Sequence, residues 1–211
     1  MEKSMTIIYS KRKMKPRAKF DHYTTEPAFC LAALRDIQPY ITPKKILDPG
    51  CGSGVWGWAA REIWPKARIY GVELQELSKF DKHYHGVYDQ VWHGDYLSNW
   101  SDTTFDLILG NPPYKLAEEF VRKSCSLLNK HGYIYFLLRL AFLEGQKRSA
   151  GLYSEKVLDS VRVLSRRPSF GGYGGKTDAT AYAMFQWKHG PLNKFVDRKN
   201  FQGLWLDWER E

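Results

Sequence analysis

Residues 44–55 read Lys-Lys-Ile-Leu-Asp-Pro-Gly-Cys-Gly-Ser-Gly-Val, and this stretch decides the fold. Its first part is typical of a short buried strand that ends at Asp48. Gly50, Gly52 and Gly54 then allow a tight turn and a close approach of the backbone to a ligand. A helix is predicted to begin near Val55. A strand, a glycine-rich turn and a helix in this order predict the start of a parallel α/β sheet.

The acid at the end of this strand narrows the choice of ligand. Asp48 would repel a pyrophosphate, and the glycine spacing differs from the G-x-G-x-x-G fingerprint of nicotinamide-binding folds. An acid in this position suits the cationic methionine portion of S-adenosylmethionine. The sequence therefore favours a cofactor-binding loop, and an ordinary tight turn is the alternative.

A second motif, Asn111-Pro112-Pro113-Tyr114, follows an apolar run at 105–109. Two consecutive prolines cannot donate to a sheet ladder, so the predicted strand has to end there. The motif therefore lies at the carboxyl edge of the strands, where ligands bind in open α/β sheets. It suits a planar ring with an exocyclic amino group: Asn111 and the Pro112 carbonyl accept its hydrogens, and Tyr114 stacks on the ring.

The motifs at 48–54 and 111–114 together resemble those of S-adenosylmethionine-dependent amino-methyltransferases. The resemblance is strongest to the short DNA N6-adenine methyltransferases of bacteriophages and prophages, and it extends from about residue 20 to 187. It implies a class I, Rossmann-like fold with a doubly wound, seven-stranded mixed sheet that ends in a β-hairpin. It also implies S-adenosyl-L-methionine as the cofactor and DNA as the partner. Asn-Pro-Pro-Tyr also occurs in N5-glutamine and some ribosomal RNA methyltransferases, so RNA bases and protein glutamine remain alternative substrates.

Acids also end the second and third predicted strands. Glu73 is placed to hold ribose hydroxyls, and Asp95 to accept from the adenine amino group of the cofactor. Leu74 or Tyr96 would supply apolar contacts to that adenine. Either acid alone would also fit an ordinary capping role, but their recurrence at successive strand ends favours the cofactor.

The remaining site residues follow from the resemblance. It implies that the segment around 23–25 covers the methionine end of the cofactor, although Thr25 also suits the N-cap of the next helix. It implies that Phe170 stacks on the target base opposite Tyr114; the alternative is an aromatic ring that fills the core. The predicted catalytic residues are Asn111, Pro112, Pro113 and Tyr114. The predicted cofactor-binding residues are Tyr23, Thr24, Thr25, Asp48, Gly50, Gly52, Gly54, Glu73, Asp95 and Asn111. The predicted contacts with the target base and DNA are Tyr114, Arg166, Arg167, Phe170 and Lys176.

Alternating strand-like and helical runs predict a parallel sheet between residues 44 and 140. The predicted strands are 45–47, 68–73, 90–95, a strand that runs into Asn111, 133–138, 161–165 and 180–187. One helix is predicted at 55–63, and another after Leu116 with Gly132 as its stop. The polar segment 144–151 is predicted to be a mobile loop.

The charge distribution points to nucleic acid. The chain of 211 residues has a formal net charge of +9, and residues 1–20 carry seven basic side chains and one acidic side chain. We expect a basic arm at 1–20 that favours nucleic-acid binding and one catalytic domain at 21–211. A solvated tail is the alternative for the arm.

Composition excludes several other classes. Three cysteines without C-x-x-C spacing argue against a disulfide framework and a zinc site, so no metal is predicted. No apolar run approaches the ~20 residues of a membrane helix. A cytoplasmic location is expected, which is the host cytoplasm if a bacteriophage encodes the chain. The aromatic C-terminal tail is expected to pack on the body of the protein or on a partner.

Overall fold

The computed structural model describes residues 25–75, 86–98, 103–168, 170, 180–191 and 202–206. The predicted arm at 1–20, together with Tyr23, Thr24 and Lys176, lies outside the described residues. The described helices are α1 (Pro27–Ile37), α2 (Val55–Ile63), α3 (Ala117–Ser126), α4 (Gln146–Ala150) and α5 (Leu152–Glu155), with 3₁₀ turns at Tyr114–Leu116 and Leu140–Leu143. The described strands are β1 (Lys45–Pro49), β2 (Arg68–Glu73), β3 (Gln90–His93), β4 (Phe105–Gly110), β5 (Leu128–Arg139), β6 (Lys156–Leu164), β7 (Tyr182–Pro191) and β8 (Gln202–Leu206).

These strands form one mixed sheet in the order β3-β2-β1-β4-β5-β7-β6-β8. The first five strands are parallel, and β7 is antiparallel to both β5 and β6. The predicted parallel sheet with a final hairpin is therefore confirmed. The backbone of β8 pairs in parallel with β6 and adds one strand to the seven that the sequence predicts. None of the helices among the described residues is long and apolar enough to cross a membrane.

Helices cover both faces of the sheet, as expected for a doubly wound fold. Leu107 and Leu109 of β4 pack in the cluster that contains α1 and α2, whereas Ile108 packs in the cluster that contains α3. Alternate residues of a strand point to opposite faces, so a fully apolar strand requires cover on both sides.

The carboxylate of Asp106 joins the starts of β1 and β4. Its Oδ2 accepts hydrogen bonds from the backbone N–H groups of Lys44 and Lys45, both at 2.9 Å. Asn129 donates to Oδ1 at 2.6 Å. With Ile46 paired to Leu107, the two strands end at the same edge of the sheet. This register brings the glycine-rich turn next to the Asn-Pro-Pro-Tyr motif.

Two predictions about elements are wrong. The sequence predicts Gly132 as the stop of α3, but α3 ends at Ser126 and Gly132 lies within β5. A Cβ at Gly132 would lie 2.8 Å from the Phe105 carbonyl oxygen, so the glycine permits close contact with β4. The polar segment 144–151 contains the short helix α4 rather than an irregular loop.

Tyr88 inserts its ring between α2 and β2, a contact that the sequence pattern did not predict. Two glycines make the space: a Cβ at Gly57 would lie 2.2 Å from the ring, and one at Gly71 would lie 3.3 Å from it. The neighbouring Asp89 anchors the segment, because its Oδ2 accepts the Ile69 N–H at 2.7 Å. The Tyr88 side chain is therefore held in a slot that only glycines can form.

Because of this slot, we expect Gly57→Ala to lower the stability of the protein, the opposite of its usual effect in a helix. Replacing glycine by alanine inside a helix usually stabilises it by about 0.5–1 kcal/mol. Here the added methyl overlaps the Tyr88 ring, so we expect the free energy of unfolding to fall by about 1–3 kcal/mol. Urea denaturation measures the change. In a Tyr88→Leu background the same substitution should be neutral or stabilising, and a more stable Gly57→Ala single variant would contradict the slot.

Candidate functional site

A cavity of about 120 Å³ lies at the carboxyl edge of β1, β2 and β4. It is bounded by the glycine-rich turn, the ends of β2 and β3, and the start of the Asn-Pro-Pro-Tyr motif. Six of the residues predicted to bind the cofactor line it: Thr25, Gly50, Gly52, Glu73, Asp95 and Asn111. The structure thus brings together side chains from five separate segments of the chain.

The glycine-rich turn has the backbone conformation that its spacing predicts. Gly50, Gly52 and Gly54 have φ angles of 75°, 50° and 91°, a region that side chains with a Cβ rarely adopt. The N–H groups of Gly50 and Cys51 donate to the Val72 carbonyl at 2.7 and 2.9 Å. The turn is therefore fixed to the end of β2.

Glu73 closes the turn and also lines the cavity. Its Oε2 accepts the Gly52 N–H at 2.8 Å, and its Oε1 accepts the Gln75 N–H at 2.8 Å. The side chain is 5% exposed. Each carboxylate oxygen has a second lone pair, so both oxygens can still accept a hydroxyl from a ligand. Asp95 is exposed at the cavity rim, and its Oδ1 accepts the Leu97 N–H at 3.0 Å.

Asp48 lies beneath the turn rather than on the cavity surface. Its Oδ2 accepts the Tyr88 hydroxyl at 2.7 Å. Its Oδ1 is buried without a hydrogen-bond partner among the described residues. A Cβ at Gly110 would lie 2.8 Å from that oxygen, so glycine is required where β4 meets the acid. Neither Asp48 nor Gly54 is part of the cavity wall.

Burial raises the pKa of Asp48 from its ordinary value of 3.8 to about 7. The negative charge of Glu73 raises this pKa further, while the Tyr88 hydroxyl and the Gly57 backbone oppose the shift. The acid is therefore poised between its neutral and charged forms near neutral pH.

Asn111 presents a buried acceptor at the cavity. Its Nδ2 donates to Thr25 Oγ1 at 3.3 Å, which orients the amide. Its Oδ1 is buried and has no hydrogen-bond partner among the described residues. Thr25 is itself 2% exposed and forms an isolated backbone bridge with Phe170. A buried acceptor without a partner is costly, so this oxygen is suited to receive a hydrogen from a ligand.

Tyr114 faces the neighbouring strands rather than this cavity. Its ring centroid lies 5.6 Å from that of Tyr182, and the Arg139 guanidinium lies 5.0 Å from the Tyr114 centroid. Phe170 packs edge-on against the same Tyr182 at 5.1 Å. Tyr182 therefore joins the two aromatic residues that the sequence predicts on opposite faces of a target base. The sequence does not predict Tyr182 as a site residue, because the apolar run in which it lies indicates only a buried strand.

Two exposed leucines flank the cavity. Leu74 is 55% exposed and Leu116 is 42% exposed, and both line the cavity with Phe120. Exposed apolar side chains on either side of a cleft suit a flat ring. Leu74 was predicted to contact the adenine, whereas Leu116 and Phe120 were not predicted as site residues, because their helical spacing is also that of a core face.

Arg166 and Arg167 are exposed just after β6 and do not line the cavity. The described residues contain no group of three His, Cys, Asp or Glu side chains that could hold a metal ion. Cys30, Cys51 and Cys125 form no disulfide bond.

Comparison with solved structures identifies the class of fold. A Listeria monocytogenes protein assigned to the class I S-adenosylmethionine-dependent methyltransferases matches with a TM-score of 0.61 at 13% identity, covering 84% of this chain and 64% of that one. A Pyrococcus horikoshii protein assigned as an RNA methyltransferase also matches with a TM-score of 0.61, at 15% identity over 84% of this chain and 93% of that one. The fold is that of a class I methyltransferase. The methyltransferase small domain model matches residues 27–170, and the chain belongs to this family.

Three curated relatives match shorter stretches. A type II methyltransferase of Paramecium bursaria Chlorella virus XZ-6E is 36% identical over 34% of this chain and 19% of its own length. The ribosomal RNA small subunit methyltransferase C of Buchnera aphidicola is 27% identical over 43% of this chain and 32% of its length. The release factor glutamine methyltransferase of Geobacter sulfurreducens is 34% identical over 33% of this chain and 26% of its length. The matches thus span a third of these relatives or less.

The family and the fold imply S-adenosylmethionine as the cofactor. The residues of the cavity fit this group. The glycine-rich turn allows close approach, Glu73 at the end of β2 and Asp95 in the loop after β3 offer carboxylates, and exposed leucines offer apolar walls.

The buried acid generates a prediction about pH. Because the pKa of Asp48 is higher in the folded protein than in the unfolded chain, the folded protein binds more protons between about pH 4 and 7. The contribution of Asp48 to stability is therefore full below about pH 4 and is lost as the pH rises through 7. The loss is of order 4 kcal/mol.

Urea unfolding of the wild type and Asp48→Asn at pH 5, 6, 7 and 8 measures this contribution. The stability of Asp48→Asn relative to the wild type should rise across the series. Glu119→Gln, which changes an exposed carboxylate, should leave the pH dependence unaltered. Parallel pH profiles for the wild type and Asp48→Asn would show that Asp48 is ionised throughout.

Proposed function

We propose that the protein transfers a methyl group from S-adenosylmethionine to the N6 amino group of adenine in DNA. The observation that carries the proposal is the oriented amide of Asn111. Its buried, unpartnered Oδ1 lies beside the cavity that fits the cofactor. Such an acceptor takes a hydrogen from an N–H or O–H donor, and the amino group of adenine offers two N–H donors.

The cofactor would be held by the walls of the cavity. Glu73 binds the ribose hydroxyls, Asp95 accepts from the amino group of the cofactor's adenine, and Leu74 and Leu116 flank that ring. Asp48 supports the turn from beneath and supplies negative charge near the methionine end. When bound, S-adenosylmethionine supplies an activated methyl group on a sulfonium.

The chain itself orients the accepting nitrogen. Asn111 Oδ1 and the Pro112 carbonyl accept the two amino hydrogens and direct the nitrogen lone pair toward the cofactor cavity. In the structure Asn111 Nδ2 donates to Thr25 Oγ1, which leaves Oδ1 as the acceptor for the amino group. The amino nitrogen loses one proton to solvent as it gains the methyl group, so a strong general base is not required. The rate enhancement comes from positioning and charge stabilisation.

The target base must leave the duplex to reach this edge of the sheet, at a cost of a few kcal/mol. Tyr114 and Phe170 then contact the base, with Tyr182 as their common support. Arg166, Arg167 and Lys176 would contact the DNA backbone. The arm at 1–20 adds nonspecific attraction to the phosphates.

RNA is the second candidate substrate, favoured by the ribosomal RNA methyltransferase among the relatives. A glutamine amide of a protein is the third candidate substrate, favoured by the release factor glutamine methyltransferase among the relatives. Incubation with methyl-labelled cofactor and DNA, RNA or a glutamine-containing peptide, followed by nucleoside and peptide analysis, separates the three. N6-methyladenine in DNA is the expected product, and label found only in RNA or peptide would overturn the DNA assignment.

Asn111→Ala should abolish most of the transfer while the fold survives, because the two prolines still set the course of the backbone. We expect single-turnover methylation to fall by ~10² or more at saturating cofactor. Cofactor affinity, measured by calorimetry, should change much less. A wild-type rate in Asn111→Ala would show that Asn111 does not hold the amino group of the substrate.

Thr25→Val tests the orienting bond separately. The valine keeps the shape of threonine but cannot accept from Asn111, so the amide can turn and present its NH₂ to the substrate. We expect a loss of ~10-fold in single-turnover rate, in keeping with one lost hydrogen bond. Thr25→Ser retains the acceptor and should keep most of the rate. Equal losses in the serine and valine variants would point to packing instead.

Glu73→Gln should weaken the binding of S-adenosylhomocysteine by ~10-fold or more, since hydroxyl bonds to a carboxylate contribute about 1.5–3 kcal/mol. Isothermal titration calorimetry measures the affinity, and the thermal shift at saturation should shrink accordingly. Glu62→Gln removes an exposed carboxylate from α2 and serves as the matched control. An unchanged affinity of Glu73→Gln for S-adenosylhomocysteine would show that Glu73 does not bind the ribose.

A further inference from the structure

A second cavity, of about 210 Å³, adjoins the candidate site at Tyr114. Three basic side chains line it, Lys115, Arg139 and Arg148, together with the ring of Phe142. Among the residues that the structure describes, no acidic side chain is part of its wall. None of these three cations belongs to the site residues that the sequence predicts.

Arg139 is the last residue of β5, which runs parallel to β4. It therefore lies at the same carboxyl edge of the sheet as Asn111. Its guanidinium lies 5.0 Å from the centroid of the Tyr114 ring. Tyr114 thus contacts Arg139 and lies three residues after Asn111.

Arg148 is held in place by the backbone around α4. Its Nε donates to the Phe142 carbonyl at 2.9 Å, a second nitrogen donates to the Glu144 carbonyl, and its guanidinium lies 5.0 Å from the Phe142 ring centroid. Gly145 has a φ of 117°, and a Cβ there would lie 3.1 Å from the guanidinium. The segment that the sequence predicted as a loop is built to fix this arginine.

We propose that this cavity binds a backbone phosphate of the nucleic-acid strand that carries the target base. The proposal rests on the proposed function and specifies its substrate class. Arginine offers planar, paired donors that match phosphate oxygens, and lysine adds a third positive charge. A base and its phosphates are attached to the same sugar, so a nucleotide whose base contacts Tyr114 would carry a phosphate near this cavity.

A peptide substrate gives these three cations no corresponding role. A glutamine amide carries no anion at a fixed distance, whereas every nucleotide does. The cavity therefore favours DNA or RNA over protein, and the two nucleic acids share the phosphodiester that it would recognise.

The test uses fluorescence anisotropy with two labelled 15-nucleotide single strands, one DNA and one RNA. Each has a single adenine among thymidines or uridines. Arg139→Gln and Lys115→Gln are compared with Arg68→Gln and Lys130→Gln, which remove exposed cations near the opposite ends of the strands. Each cavity variant should bind ~3–10-fold more weakly and reduce the slope of log K against log salt by about 0.7. The control variants should change both quantities less.

A neutral methylphosphonate at one position at a time then locates the contact. In the wild type, neutralising one phosphate next to the adenine should weaken binding. In Arg139→Gln the same change should have no further effect, because the interaction is already lost. Tighter binding of the DNA strand or of the RNA strand identifies the source of the phosphate, and either result supports the proposal.

Two outcomes overturn the phosphate site. One is wild-type affinity and salt slope in both cavity variants; the other is an equal response of the wild type and Arg139→Gln at every methylphosphonate position. If methyl transfer to the oligonucleotide persists in those cases, the proposed function stands and only the phosphate site fails. If the wild-type protein binds neither strand and methylates a glutamine-containing peptide, both proposals fail together.

Discussion

The candidate site depends on the hydrogen bond between Tyr88 and the buried acid Asp48. This bond occupies one oxygen of a fully buried acid and leaves the other against the backbone of Gly110. The glycine-rich turn begins immediately after the acid, and the Asn-Pro-Pro-Tyr motif begins immediately after Gly110. One side chain is therefore packed between the two halves of the site, so a shift in either half would disturb the other. Interiors packed at this density transmit such shifts rather than absorb them.

The same arrangement explains why polar atoms are left without partners at a ligand-binding edge. Burying Asn111 Oδ1 and Asp48 Oδ1 without hydrogen bonds lowers stability, and folding of the hydrophobic layers on both faces of the sheet offsets the loss. A site that is already desolvated and oriented needs little reorganisation when a ligand arrives. The unpartnered polar atoms thus lower the stability of the folded protein and prepare the site for a ligand.

The sequence predicted elements whose signals are local. The bounds of α2 and β2 match the structure, because a glycine-rich turn precedes α2 and Pro65 follows it, while β2 ends at an acid. The same logic placed Glu73 at the end of β2 and Asn111 directly after β4, whereas β3 ends at His93, two residues before the predicted strand end at Asp95. Tyr88, Tyr182 and Arg139 were missed because their positions depend on contacts between distant segments. The early start of β5 was missed because Gly132 is a helix stop by local rules and a point of close strand contact in the fold.

The strand β8 changes what the sheet presents to other molecules. Without it, the nine-residue strand β6 would expose a full row of backbone donors and acceptors at one end of the sheet. With it, the described sheet ends in β8, which has five residues, and in β3, which has four. Short terminal strands give a second chain little backbone to pair with, and strand-by-strand association is correspondingly disfavoured. By covering β6, the strand β8 thus disfavours self-association through this end of the sheet.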